Sequence, residues 1–226
     1  MSAALAIELE TGPIERARAD LAIVSFCTTD RPLRGAAGRA DWRLCGRLSQ
    51  LIAAGRVEGH AGEAVLLPGG GGLRAPMLLA LGRGPGASLG PAATAAFARD
   101  AVGRGLGLRA ATVALALPDE ELGELALRQC FEALVGGAGE ALAARAGGVA
   151  LRLMLVAGRE KGARMLEILR SARPSGFPAS KARTNASCAP SGAHRGCESR
   201  GPVVNGRGAA ETMPDTSSSH SQIAVR

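Results

Sequence analysis

The sequence predicts an α/β fold, on three observations. Residues 21–26 form an apolar run with the length and composition of a buried strand, followed by a Pro/Gly loop and a helical stripe. The same order of strand-length run and then helix recurs at residues 112–134 and again at 149–170. Aromatics make up only 2% of the 226 residues and Tyr is absent, so the core must be built from Leu, Val, Ile and Ala.

Each element follows in chain order. Residues 4–9 alternate mildly and read as a first strand, stopped by Thr11-Gly12-Pro13. Residues 14–19 form a short charged connector. The second strand, 20–26, is apolar on both faces and therefore expected at the sheet centre. From Asp41, the residues Trp42, Cys45, Leu48, Leu51 and Ile52 recur at helical spacing, with Arg43, Arg47 and Gln50 between them. One helix is expected from Asp41 to about Ala54, stopped by Gly55, with Trp42 packed inward at its entry.

Residues 63–67 and 75–81 flank a run of four glycines and read as an antiparallel hairpin. Pro91 suits the first position of a helix, with Ala93, Phe97, Ala101, Val102 and Leu106 as its weak apolar stripe. After the buried strand 112–117, Asp119, Glu120 and Glu121 supply first-turn acids. Leu122, Leu125, Ala126, Cys130, Ala133 and Leu134 then form the clearest stripe in the chain. Gly136, Gly137 and Gly139 are expected to weaken that helix before residues 140–145. The last strand covers 149–156 and the last helix 161–170, with Met165, Leu166 and Leu169 facing in.

From Ser171 onward Ser, Pro, Gly, Arg, Thr and Asn dominate and apolar periodicity is lost. Such a stretch buries too little apolar surface to offset ordering, which costs of order 1–2 kcal/mol per backbone residue. The expected organisation is one domain over 1–170 and a disordered tail over 171–226. The formal charge is +7. Seven basic against three acidic residues put +4 of it in the tail and leave +3 on the domain, which does not mark a nucleic-acid binder.

Cys27, Cys45, Cys130, Cys188 and Cys197 are odd in number and scattered. They read as thiols in a reducing compartment, with Cys45 and Cys130 on apolar helix faces. The first ten residues lack a basic region and carry acids, and no window reaches the ~18 apolar residues of a membrane span. A cytoplasmic protein without membrane attachment is expected.

Chemistry-bearing motifs are sparse. Cys188, His194 and Cys197 are three ligand types inside the tail, short of the usual four of a structural zinc site. His60 and His220 have no companions. No Gly-x-Ser-x-Gly elbow is present and no Cys neighbours a His. No catalytic residue, metal site or cofactor is therefore assigned. Gly82, Arg83, Gly84 and Gly86 follow a strand and precede a helix, where backbone N–H groups can cradle an anion. Pro85 removes one donor, and a plain turn competes with that reading. Arg31, Arg34, Arg39, Arg43 and Arg47 cluster in one loop and helix start, a nucleic-acid candidate that competes with a solvated arginine face.

The order of strand, Arg31-Pro32-Leu33 loop, helix, Gly62-Glu63-Ala64-Val65-Leu66-Leu67-Pro68 and Ala75-Pro76-Met77-Leu78-Leu79-Ala80-Leu81-Gly82-Arg83-Gly84 resembles the amino-terminal domain of cytosolic leucyl aminopeptidases. Residues 125–137 are similar to that domain's last helix, and the likeness covers roughly 4–157. The resemblance implies a macro-domain-like fold, a mixed and mainly parallel sheet with helices on both faces. It implies loops of the kind macro domains use for ADP-ribose, and a link to DNA, which some of those enzymes bind. Their two-metal domain carries Asn-Thr-Asp-Ala-Glu-Gly-Arg, which this chain lacks, so no metal ligand or catalytic lysine is carried over. The expected function is a non-catalytic relative acting in binding or assembly with an unknown protein partner or with itself. The alternatives are an anionic small ligand at Gly82–Gly86, or weak DNA binding through the arginines.

Overall fold

The computed structural model describes residues 4–86, 90–117, 123–145, 148–171 and 224–225. Twelve main elements follow the chain: β1 (Ala4–Thr11), β2 (Leu21–Phe26), α1 (Gly35–Arg43), α2 (Arg47–Ala53), β3 (Ala64–Pro68), β4 (Met77–Gly82), α3 (Pro91–Gly107), β5 (Thr112–Ala116), α4 (Glu124–Ala143), β6 (Ala150–Ala157), α5 (Arg159–Ser171) and β7 (Ala224–Val225). A 3-10 turn at Ile14–Arg16 joins β1 to β2.

The sheet order is β1-β6-β5-β2-β4-β3-β7. β1, β6, β5, β2 and β4 run parallel, with Leu21 paired to both Met77 and Val113. β3 turns antiparallel to β4 and so forms the expected hairpin. The two-residue β7 pairs antiparallel with β3. This is the mixed, mainly parallel α/β architecture expected. Apart from Ser171 and β7, residues 171–226 lie outside the described residues, and with them the expected tail and its Cys188, His194 and Cys197. Asp119, Glu120, Glu121 and Leu122 lie outside them too.

Strand periodicity divides the core into two layers. Leu21, Ile23, Val113, Leu115, Leu151, Leu153 and Leu155 point to one face, against α3, α4 and α5. Ala22, Val24, Phe26, Ala114, Ala116, Met154 and Val156 point to the other, against α1 and α2. β2 is buried on both faces because it lies inside the sheet, as its continuous apolar run predicts.

Helix α4 corrects two expectations. It runs unbroken through Gly136, Gly137 and Gly139. Its inward face is Leu127, Phe131, Leu134, Val135, Ala138, Ala141 and Leu142, whereas Leu125 is 70% exposed and Cys130 half-buried. A Cβ at Gly137 would lie 2.1 Å from the Ala95 carbonyl oxygen. The glycine is what lets α3 and α4 cross backbone against backbone. In α3 the buried face is Thr94, Ala98, Ala101, Val102, Gly105 and Leu106, while Ala93 is exposed and Phe97 half-buried.

Candidate functional site

The loop after β2 is fixed by its own polar groups. Asp30 Oδ2 accepts the Cys27 amide at 2.7 Å. The Arg31 guanidinium donates to the Asp30 carbonyl at 2.9 Å and to the Glu58 carbonyl at 3.0 Å. Arg31 is thereby occupied in holding two loops together. α1 starts from this anchored loop, with Arg34 at its N-cap.

The single helix expected over residues 41–54 is two helices, and this overturns the placement of Trp42. The chain passes through the left-handed region at two successive residues, Cys45 (φ 56°) and Gly46 (φ 75°). Glycine takes that conformation without strain, and its presence at Gly46 closes α1. The Gly46 amide donates back to the Asp41 carbonyl at 2.9 Å. Across the break, Asp41 Oδ1 accepts the amides of Leu48 (2.8 Å) and Ser49 (3.3 Å), and Oδ2 accepts the Ser49 hydroxyl at 2.5 Å. The buried Asp41 carboxylate thus caps the N-terminus of α2 from the end of α1.

The break resets the helical phase. Ala37, Ala40 and Asp41 form the buried face of α1, and Leu44 and Leu48 are buried beyond it. Trp42 is 76% exposed, not packed on the sheet, and Cys45 is exposed as well. Cys27, in contrast, is buried just after β2. Leu51 and Ile52 are half-buried.

Trp42 stands between two open grooves. One, of about 700 Å³, is lined by Leu33, Trp42, Arg43, Cys45, Ser49 and Gly72 among others. The other, of about 580 Å³, includes Glu15, Arg34, Arg39, Trp42 and Arg43. Arg34, Arg39, Arg43 and Arg47 are all exposed. Arg39 Nε lies 3.9 Å from Glu15 Oε2. Arg34, Arg39 and Arg43 therefore share a surface with the indole, Arg31 is tied into its loop, and Arg47 opens α2 outside both grooves.

The Gly82–Gly86 loop lies at the carboxyl end of β4, beside that of β2. The amide of Gly82 donates to the Glu63 carbonyl (2.8 Å), that of Arg83 to Phe26 (2.9 Å) and that of Gly84 to Gly59 (2.8 Å). Pro85 has no amide proton. Of the four amide N–H groups in this loop, only that of Gly86 stands outside this network. Below the loop, Glu63 Oε2 accepts the amides of Glu58, Gly59 and His60 at 3.0, 2.6 and 3.0 Å. Partial burial pushes the Glu63 carboxyl up, but those three amides and the nearby His60 outweigh it and hold it below the usual carboxylate range. The exposed His60 ring pairs with Glu58 Oε2 at 2.8 Å.

Among the described residues no group of three or more His, Cys, Asp or Glu is arranged to hold a metal ion. No described helix is long and apolar enough to cross a membrane.

The exposed Trp42 is the feature that periodicity missed. A signal was available: Leu44-Cys45-Gly46 carries a helix-stopping glycine, and Asp41 precedes the second helix as a capping residue type.

The cytosol aminopeptidase family, N-terminal domain, matches residues 23–144, more than half of the chain. A mutant of tomato leucine aminopeptidase has a similar fold (16% identity, TM-score 0.57), with 75% of this chain and 36% of the tomato chain covered. The chain thus spans about a third of that enzyme. A Trypanosoma brucei macrodomain in complex with ADP-ribose is 16% identical, with a TM-score of 0.56 over 72% of this chain and 68% of that one. A mutant Oceanobacillus iheyensis macrodomain is 11% identical, with a TM-score of 0.54 over 72% and 89%. At these identities the likeness is one of fold. No curated protein matches the sequence.

Proposed function

The chain belongs to the cytosol aminopeptidase family through that family's N-terminal domain, and from this premise we propose that it is a non-catalytic binding or assembly module docking through α1. One observation carries the proposal. The only Trp of the sequence is 76% exposed on a helix whose opposite face is buried. A large indole held in water on a rigid helix is a poor choice for folding and a good one for contact with a partner. A cytoplasmic location is part of the same proposal, supported by the match to the cytosol aminopeptidase family.

The test has two arms. Purified protein with a leucine amide substrate, in manganese or zinc, is expected to show no turnover, and turnover abolished by a chelator would overturn the non-catalytic reading. Acrylamide is expected to quench Trp42 emission as readily as that of a free indole, and a shielded Trp42 would remove the docking surface.

A second reading is anion binding at Gly82, Arg83, Gly84 and Gly86. It is supported by the position of that loop at the carboxyl ends of parallel strands, where α/β sheets bind ligands. Saturable ADP-ribose binding in calorimetry would support it. The amides already committed to Glu63, Phe26 and Gly59 speak against it.

A further inference from the structure

We infer that the partner of the Trp42 face is an acidic amphipathic protein segment, setting apolar side chains on the indole and carboxylates on Arg34 and Arg43. The inference rests on the reading of that face as a docking surface.

Charge is the first argument. Arg34, Arg43 and Arg47 are exposed and form no ion pair with any described residue, and Arg39 Nε lies 3.9 Å from Glu15 Oε2. The nearest acid in sequence, Asp41, is turned inward and spent on Leu48 and Ser49. Arg34 and Arg43 therefore leave the face net positive beside Glu15, the one carboxylate that lines the groove with Arg34, and its complement is negative.

Residue type is the second. Trp and Arg are the side chains that most often anchor protein interfaces, and here they are adjacent in sequence and line the same two grooves. Leu33 also lines both grooves, so each offers an apolar wall beside a cation. A segment with apolar residues on one side and acids on the other satisfies both.

The same observations disfavour nucleic acid. Single-strand binders stack successive bases on several aromatics. This chain has one Trp, no Tyr and four Phe. Phe26 and Phe131 are buried and Phe97 lies half-buried against the α3–α4 core, so none of these extends the indole into a track.

Trp42, the sole Trp, makes intrinsic emission a report on this surface alone. The probe is a synthetic helical peptide with Leu at i, i+3, i+4 and i+7 and Glu elsewhere. The comparisons are the same peptide with Gln for Glu, and a short oligothymidylate. The expected result is a blue shift of Trp42 emission and protection from acrylamide with the Glu peptide. Replacing Arg34 and Arg43 together by Gln should weaken that binding about tenfold, and added salt should weaken it too.

Equal binding of the Gln peptide would overturn the charge argument. Stronger quenching by oligothymidylate would overturn the inference in favour of a nucleic-acid surface. No response to any of the three would overturn the acidic partner. In each case the docking reading survives as long as Trp42 is open to acrylamide in the protein alone. A Trp42 already shielded there would end both.

Discussion

Asp41 Oδ1 accepts the Leu48 amide at 2.8 Å, a bond between the last turn of one helix and the first turn of the next. It joins residues seven apart and replaces the helical hydrogen bonds that the turn at Cys45 and Gly46 breaks. Two helices, in place of one, leave Trp42 exposed and Leu48 buried.

Asp41→Ala should remove this cap and leave the buried Leu48 amide without its acceptor. The expected cost is about 1–3 kcal/mol. Ser49→Ala should cost less, because Asp41 then keeps its two amide donors. Chemical denaturation of the two variants checks the order. Equal losses would mean that the hydroxyl, not the amides, carries the cap.

Trp42→Ala should leave stability within about 0.5 kcal/mol, the range of an exposed substitution. Leu48→Ala, at a side chain with no exposed surface, should cost about 2–5 kcal/mol. Thermal unfolding of both variants decides the matter. A large loss at Trp42 would mean that the indole packs on the sheet.

Glu63 and Glu10 should respond to pH with opposite signs. The Glu63 carboxyl is lowered in the folded protein. Its contribution is thus present above the unfolded value near 4.5 and is lost as pH falls through the folded value. Glu63→Gln should therefore destabilise at neutral pH, and the deficit should vanish in acid. Burial and then the neighbouring Glu8 raise the Glu10 carboxyl, partly opposed by Arg152. Ionised Glu10 costs stability once pH rises through its folded value, so Glu10→Gln should stabilise at neutral pH and be neutral well below pH 4. Urea midpoints across a pH series check both signs.

Gly137→Ala should destabilise by about 1–3 kcal/mol, because the new methyl meets the Ala95 carbonyl. Gly136→Ala, with nothing within 4 Å of its Cβ position, should gain up to about 1 kcal/mol from helix propensity. Thermal midpoints moving in the same direction would show that the two helices do not cross there.

The sequence by itself determined the existence of strands β1 to β6. β2 and β5 were legible as largely apolar runs because a strand buried on both faces is apolar on both, and β6 as an apolar run broken only by Arg152. The hairpin of β3 and β4 was legible because two strand-length apolar runs flank a short glycine-rich connection. What only the tertiary structure decided is the direction of Trp42 and the role of Gly137. Periodicity assumes one unbroken helix, and its phase is lost at Cys45 and Gly46, where backbone conformation changes for two residues. The bond that makes this break stable runs from the Asp41 side chain to the Leu48 and Ser49 amides, a side-chain-to-backbone contact that an apolar repeat does not register. Gly137 reads as a weak helix former until Ala95, 42 positions earlier, is brought against it. In both cases the deciding contact lies between groups that only folding brings together, so an apolar repeat alone does not reveal it.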